Sequence, residues 1–235
     1  MNNSNKNCVD FLKSTWRNWR GFILFVCLVF IPIRSSLADW NWVPSGSMNP
    51  TIMEGDMVYV NKLAYDLRVP LTLSRISSWA DPKAEDIVVC FSPDDGIRLV
   101  KRVIACPGDK VKISNNQLYI NDQAISLEAK PISSVEYLNE KYSGNGLLYE
   151  EYLSDVPHLM MHMPHMNTMK DFNEIIVPEG QYFVMGDNRD NSKDSRYFGF
   201  VKRKQIIGKA TMVILSLDKL DKYQPRFSRF FTVLE

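Results

Sequence analysis

Histidine is scarce in this chain: three among 235 residues, at 158, 162 and 165, all within the segment HLMMHMPHM. A serine nucleophile usually draws its base from histidine. No GxSxG elbow is present to raise a serine at a strand-to-helix turn, so a histidine triad has little to build on. Cysteine is nearly as rare, at 8, 27, 90 and 106, with no CxxC, which removes support for a zinc or thioredoxin-type site. A Cys90–Cys106 bond stays open, although the short turn between their strands puts the two out of register. Charge of one sign is missing too. Lys+Arg number 28 against 27 Asp+Glu, and a nucleic-acid surface would need a basic excess. Internal repeats and low-complexity tracts are absent, which excludes solenoids and disordered scaffolds. Long apolar runs are limited to one.

That run is GFILFVCLVFIPI, residues 21 to 33, approached by Lys6, Lys13, Arg17 and Arg20 and closed by Arg34. As a helix it covers about 20 Å, short of a ~30 Å hydrocarbon core, so length alone favours a cleavable signal. Trp16 and Trp19 suit the headgroup belt, however, and the arginines can snorkel. Cleavage near SSLAD would also leave PSGSMNP almost at the new terminus. An uncleaved anchor is therefore expected, with the first twenty residues cytoplasmic and everything after Arg34 on the far side.

Beyond the anchor the pattern reads as β structure. DMVYVNKLAY (56 to 65) follows a turn, and the proline-punctuated segment 66 to 83 reads as a surface loop. DIVVCF, SPDDG and IRLVKRVIA form a hairpin, and KVKISNNQLYIND forms another around Asn115-Asn116. QIIGKATMVILSL (205 to 217) is a late strand. The expected fold is mostly β, an antiparallel core carrying an inserted smaller β-rich lobe, preceded by one transmembrane helix. The divisions are 1–20 cytoplasmic, 21–33 anchor, 34–112 first part of the core, 113–178 inserted lobe, 179–217 second part of the core and 218–235 tail. The tail, KYQPRFSRFFTVLE, reads as a docked final segment or as a membrane-surface contact.

Three stretches carry chemistry. PSGSMNP (44 to 50) sets Ser45 and Ser47 among Pro44, Gly46 and Pro50 soon after the anchor. A base could be a lysine whose pKa is lowered by desolvation. In RLVKRVIA, alternation puts Leu99, Lys101 and Val103 on one face and Arg98, Val100, Arg102 and Ile104 on the other. Lys101 thus has aliphatic neighbours on its own face, as many solvent-reaching strand lysines do. GDNRDNSKDSRYFGFV (186 to 201) could be a long turn, a calcium loop or a scaffold. The EF-hand spacing fails. Ser192, Asp194 and Arg196 suit support of a neighbouring group. A second SxxK, Ser216 to Lys219, reads as chance. The His/Met segment reads as a methionine-rich strand or loop, with a soft-metal site as the sharper alternative.

PSGSMNPT at 44 to 51, RLVKRVIACPGDKV at 98 to 111 and GDNRDNSKDSRYFGFV, in this order after an anchor, resemble the type I signal peptidases. The resemblance covers roughly residues 20 to 115 and 176 to 215. It implies a Ser/Lys endopeptidase that removes signal peptides from exported preproteins after small residues of Ala-X-Ala type. Ser47 would be the nucleophile and Lys101 the general base. Ser45 would serve the oxyanion, Ser192 would orient the lysine amine, and Asp194 with Arg196 would support it. Val43, Met48, Ile52, Leu99 and Val100 match positions lining the shallow pockets for small side chains. The family needs no metal or cofactor. Its partners would be signal peptides, the lipid bilayer and transiently the secretion machinery, with no nucleic acid. The location implied is the bacterial inner membrane, single-pass, with the catalytic domain on the periplasmic face. Many proteobacterial members have two transmembrane segments, against one here. The rivals are a self-cleaving Ser/Lys repressor-type peptidase and a non-catalytic envelope protein whose β domain binds a partner.

Overall fold

A computed structural model describes residues 15–31, 33–72, 74–135, 138, 146–154 and 156–234. Lys6, Lys13 and Cys8 lie outside these residues, as does most of the proposed cytoplasmic segment.

The amino-terminal helix is longer than the apolar run that betrays it. It extends over Thr15–Leu37, 23 residues, long and apolar enough to cross a membrane. Val26–Phe30 and Ile33–Leu37 are wound as π-helix, with less rise per residue than an α-helix, yet the whole helix has the roughly 20 residues a span needs where the apolar run alone did not. The 13-residue apolar run lies inside it, and the helical backbone continues through the polar flanks on either side. Trp16 and Trp19 are exposed on this helix.

The rest is built from strands, and the main sheet is antiparallel. Its path runs Ala38–Trp42, Asp56–Asn61, Ile206–Asp218, Ile87–Phe91, Arg98–Ala105, Gln181–Met185 and Val201–Lys202. The 13-residue strand Ile206–Asp218 is its spine. Its first part pairs with Ile87–Phe91 and the remainder with Asp56–Asn61. Two short tail strands, Gln224–Pro225 and Thr232–Val233, also lie along it, so the carboxyl terminus is docked. Arg229, buried, donates to the Asp56 carboxylate and to the Thr51 carbonyl, which brings the tail to the loop after Ser47.

Alternation works as expected. Asp56–Asn61 buries every second residue, with Val58 and Val60 inward. Val43, Met48, Ile52, Ile87, Val89, Ile207 and Val213 join them in one apolar cluster. Val88, Cys90, Val103, Tyr182, Val184 and Ile206 fill a second, across the sheet. Cys90 and Cys106 are both free, and burial pushes the Cys90 thiol up to about 12.

The expected hairpins are present, Ile87–Phe91 with Arg98–Ala105 and Lys110–Ser114 with Gln117–Ile120. Asn115 and Asn116 take φ of 50° and 64°, the left-handed pair that a tight two-residue hairpin demands and asparagine tolerates. Lys110–Ser114 also pairs with Phe172–Ile176. A separate three-stranded sheet comprises Ser126–Lys130, Leu147–Tyr152 and His158–His162. One reading needs correction: segment 66 to 83 is not plain loop but holds a small sheet, Asp66–Arg68 with Arg75–Ser78. Buried Arg68 and half-buried Arg75 both donate to Asp66, giving a short polar segment the internal partners it needs.

Candidate active site

The loop PSGSMNP is fixed by its apolar members. Val43, Met48 and Ile52 are buried in the first apolar cluster, so the residues between them cannot drift. At its base Val43 N donates to Asp56 O and Gly55 N to Val43 O. Gly55 has φ +88°, and a Cβ there would lie 2.0 Å from Leu217 O, so the turn closing the loop admits only glycine. From the other side Asn188 holds the loop twice. Its backbone N–H donates to Ser47 O at 3.1 Å, and its side-chain amide donates to Gly46 O at 3.0 Å.

Lys101 reaches this loop from the sheet. Its Nζ is 2.6 Å from Ser47 Oγ, and the pair shares a hydrogen bond. The lysine is 2% exposed. Across the hairpin it faces Val88, while Leu99 and Val103 on its own face pack into the second apolar cluster. Burial pushes its pKa down; Asp194, Cys90 and Asp187 pull it upward without cancelling the effect. A lysine amine whose pKa is pushed down, beside a serine hydroxyl, is the arrangement a proton acceptor requires.

Arg102, next along the strand, is fully buried on the opposite face. It forms a fork with Asp187, Nε to Oδ1 at 2.9 Å and Nη2 to Oδ2 at 2.8 Å. Burial works to raise the Asp187 carboxyl, and the guanidinium overrides it, leaving it below the usual range. Thr51 Oγ1 donates to the same carboxylate at 2.5 Å, tying the serine loop to this pair.

A cleft of ≈ 260 Å³ opens over Ser47. Ser45 is exposed at its wall, and Val43, Met48, Leu99 and Val100 line it with Lys101. Ile52 does not; it lies wholly inside the core beneath the loop. Strand Arg98–Ala105 pairs with Ile87–Phe91 through residues 98 to 102, but with Gln181–Met185 only through 102 to 105. Among the described residues, the outer edge of 98 to 101 therefore has no strand beside it. None of the three histidines lines this cleft.

The 186 to 196 stretch closes the back of the site. Ser192 is buried, and its Oγ has no hydrogen-bond partner among the described residues, so no bond joins it to Lys101 here. Asp194 and Arg196 form a buried pair, Nε to Oδ1 at 2.9 Å and Nη2 to Oδ2 at 2.8 Å, and Asp194 also accepts from Gly186 N at 3.2 Å.

The sequence itself decides the family. A profile described as signal peptidase, peptidase S26, matches residues 16–215. The chain belongs to the signal peptidase family. It is a serine endopeptidase, a hydrolase. A signal peptidase I of Buchnera aphidicola is 33% identical over 256 residues, covering 94% of this chain and 80% of that protein. One of Pseudomonas fluorescens is 36% identical, covering 88% and 74%. A crystal structure of a signal peptidase I from Enterococcus faecalis is 33% identical, with a TM-score of 0.36, over 57% of this chain and 100% of its own.

In this signal peptidase family member the sequence reading overlooked Gly186, Asn188, Thr51 and Asp187. A Cβ on Gly186 would lie 2.3 Å from Ser47 O and 2.5 Å from Ser192 Oγ, so glycine lets the two loops touch. The density of short polar residues in GDNRDN signalled a scaffold. It could not say which member would hold which carbonyl.

Proposed function

We propose that the chain is a membrane-anchored endopeptidase that removes amino-terminal signal peptides from exported preproteins by a Ser47/Lys101 dyad. The observation that carries this reading is the 2.6 Å contact between a buried lysine amine and the Ser47 hydroxyl. Neutral Lys101 takes the Ser47 proton as the hydroxyl attacks the scissile carbonyl, and the ammonium so formed protonates the leaving amine. Water then hydrolyses the acyl-enzyme through the same lysine. Ser45 Oγ and the Ser47 backbone N–H serve the oxyanion, a donor of this kind being worth about 3 kcal/mol in the transition state. Ser192, whose buried Oγ is unpartnered among the described residues, would orient the amine by turning its hydroxyl towards it, and Asp194 with Arg196 holds the stretch on which Ser192 sits.

The unpaired edge at residues 98 to 101 suits an extended peptide that adds itself as a strand. Alternate side chains would then point into a cleft walled by Val43, Met48, Leu99 and Val100, an apolar lining that suits the small side chains of an Ala-X-Ala site. The Thr15–Leu37 helix spans the inner membrane once, with its amino terminus cytoplasmic and the sheet on the periplasmic face. Trp40 and Trp42, both exposed, sit close to the bilayer. A substrate whose signal helix lies in the same bilayer presents its cleavage site at that surface, where contact with the secretion machinery would be transient.

The test is processing of a purified preprotein with an Ala-X-Ala site. Ser47→Ala and Lys101→Ala should each lose about 10³-fold or more in rate while remaining folded. Substantial processing by either variant would refute the dyad.

A further inference from the structure

Behind the catalytic strand, six ionisable side chains meet in the interior. Arg102 gives its fork to Asp187, and its Nη1 lies 3.4 Å from Glu85 Oε2. Glu151, on strand Leu147–Tyr152, is fully buried and takes both terminal nitrogens of Arg189, with Nη1 to Oε1 at 2.7 Å. His158 fills the gap between these two systems. Its Nδ1 is 3.0 Å from Glu85 Oε2 and its Nε2 is 3.2 Å from Glu151 Oε2.

Among the described residues, the charged groups facing His158 come from every surrounding element. Arg102 is on the catalytic strand, Glu85 precedes strand Ile87–Phe91, and Glu151 is on the neighbouring strand of the small sheet. Asp187 and Arg189 are in the turn that follows strand Gln181–Met185. Asp190, the next acid beyond Arg189, is held by His162 at 3.0 Å and by the Thr168 hydroxyl, and Asp194 is engaged by Arg196. Three carboxylates thus oppose two guanidiniums. With a neutral imidazole the cluster carries −1; with an imidazolium it is neutral. A buried medium penalises the uncompensated charge. Both ring nitrogens lie within ion-pair distance of a carboxylate oxygen, though not in hydrogen-bonding alignment with it, and only the imidazolium carries a proton on each. Burial works to lower the His158 pKa, but Glu151 and Glu85 outweigh it and the net shift is upward.

We propose that His158, held as an imidazolium, is a positioning residue for the catalytic pair. It neutralises the cluster whose Asp187 carboxylate tethers Thr51 and influences Lys101. The route to the site is short. Met161 N, on the His158 strand, donates to Asp187 O at 2.8 Å, and Asn188, the next residue, holds the Gly46 and Ser47 carbonyls. Loss of the His158 proton leaves a net negative charge that also favours the ammonium form of Lys101 and so reduces the fraction of neutral amine available as base. The stabilisation is full below the unfolded imidazole value of about 6.5 and is lost as pH rises through the elevated folded value. The catalytic part of the proposal rests on the Ser47/Lys101 reading.

The experiment compares full-length, detergent-solubilised protein as wild type, His158→Gln and Glu85→Gln/His158→Gln, using an Ala-X-Ala preprotein across pH. His158→Gln should lose about tenfold in kcat near neutrality, with the acid limb of kcat moved upward by roughly half a unit. The double variant removes one carboxylate along with the histidine charge and should return the limb to its wild-type position. An unmoved limb in His158→Gln, or a double variant no better than the single, would overturn the proposal. Imidazole titration of wild-type His158 by NMR gives a second answer that does not depend on how the variants fold. A midpoint above 6.5 is expected, and one at or below it sinks the idea. If Lys101→Ala proved active, the dyad would fail while this titration still decided the state of His158.

Discussion

Lys101 and Arg102 are consecutive basic residues on one strand, both buried, and the two faces of that strand treat them in opposite ways. On the lysine side the close neighbours are Val88, Leu99 and Val103, and the nearest polar atom is a serine hydroxyl. On the arginine side a carboxylate meets the guanidinium in a two-pronged fork, with a second carboxylate close by. Burial without a carboxylate hydrogen bond makes an amine able to take a proton. Burial with one makes a permanent cation that organises the structure. The residue types suit the division, because a guanidinium does not deprotonate in proteins whereas an amine does so readily when desolvated.

Swapping each residue for methionine should separate the two faces most sharply. Lys101→Met ought to lose about 10³-fold or more in kcat, with a melting temperature equal to or above wild type, since it removes a desolvated amine. Arg102→Met should instead cost about 3–5 kcal/mol of stability, because it leaves Asp187 buried without its partner. Thermal unfolding monitored beside preprotein cleavage checks both. If Lys101→Met melted earlier than Arg102→Met, the assignment of one face to chemistry and the other to structure would be reversed.

Gly186 sits where the polar turn touches the serine loop, so it tests the geometry rather than the charge. Gly186→Ala should lower kcat by about 10²-fold, the usual cost of displacing a nucleophile by an ångström or so, with KM changed only a few-fold. The added carbon would lie 2.3 Å from the Ser47 carbonyl, and one of the two backbones must move. Wild-type kcat in this variant would mean that the contact does not set the position of Ser47.

Much of the face division was legible from alternation alone. Period two put Lys101 with Leu99 and Val103, and the adjacent asparagines announced their hairpin turn. What could not be read was partnership. Alternation says that Arg102 points away from Lys101, but only the fold brings Asp187, 85 residues later, against it. The same limit hid Asn188, whose two bonds to the serine loop depend on how a turn lands, and Ile52, an apolar neighbour of the site that proved to be core. The helix was underestimated for a different reason, since hydropathy marks where a helix meets lipid and backbone hydrogen bonding decides where it ends. For the segment of histidines 158 and 162, composition alone left strand and loop both open. Their strand is regular, and its burial comes from a sheet whose other strands lie elsewhere in the sequence.

The smallest expected effect concerns the charges that Lys101 still feels. Because its folded pKa is lowered, activity should be present when the amine is neutral and should fall as pH drops through that value. Asp194 is the foremost of the charges pulling this pKa back up, and Arg196 beside it acts in the opposite sense. Asp194→Asn removes the first and leaves the second uncompensated, so the amine should lose its proton more readily. The acid limb of kcat should then move to lower pH by roughly half a unit. The plateau should also drop, because Asn holds Arg196 less well, but the plateau reports geometry and the limb reports charge. A limb that stays in place while the plateau falls would show that Asp194 supports the site mechanically and that burial alone sets the lysine.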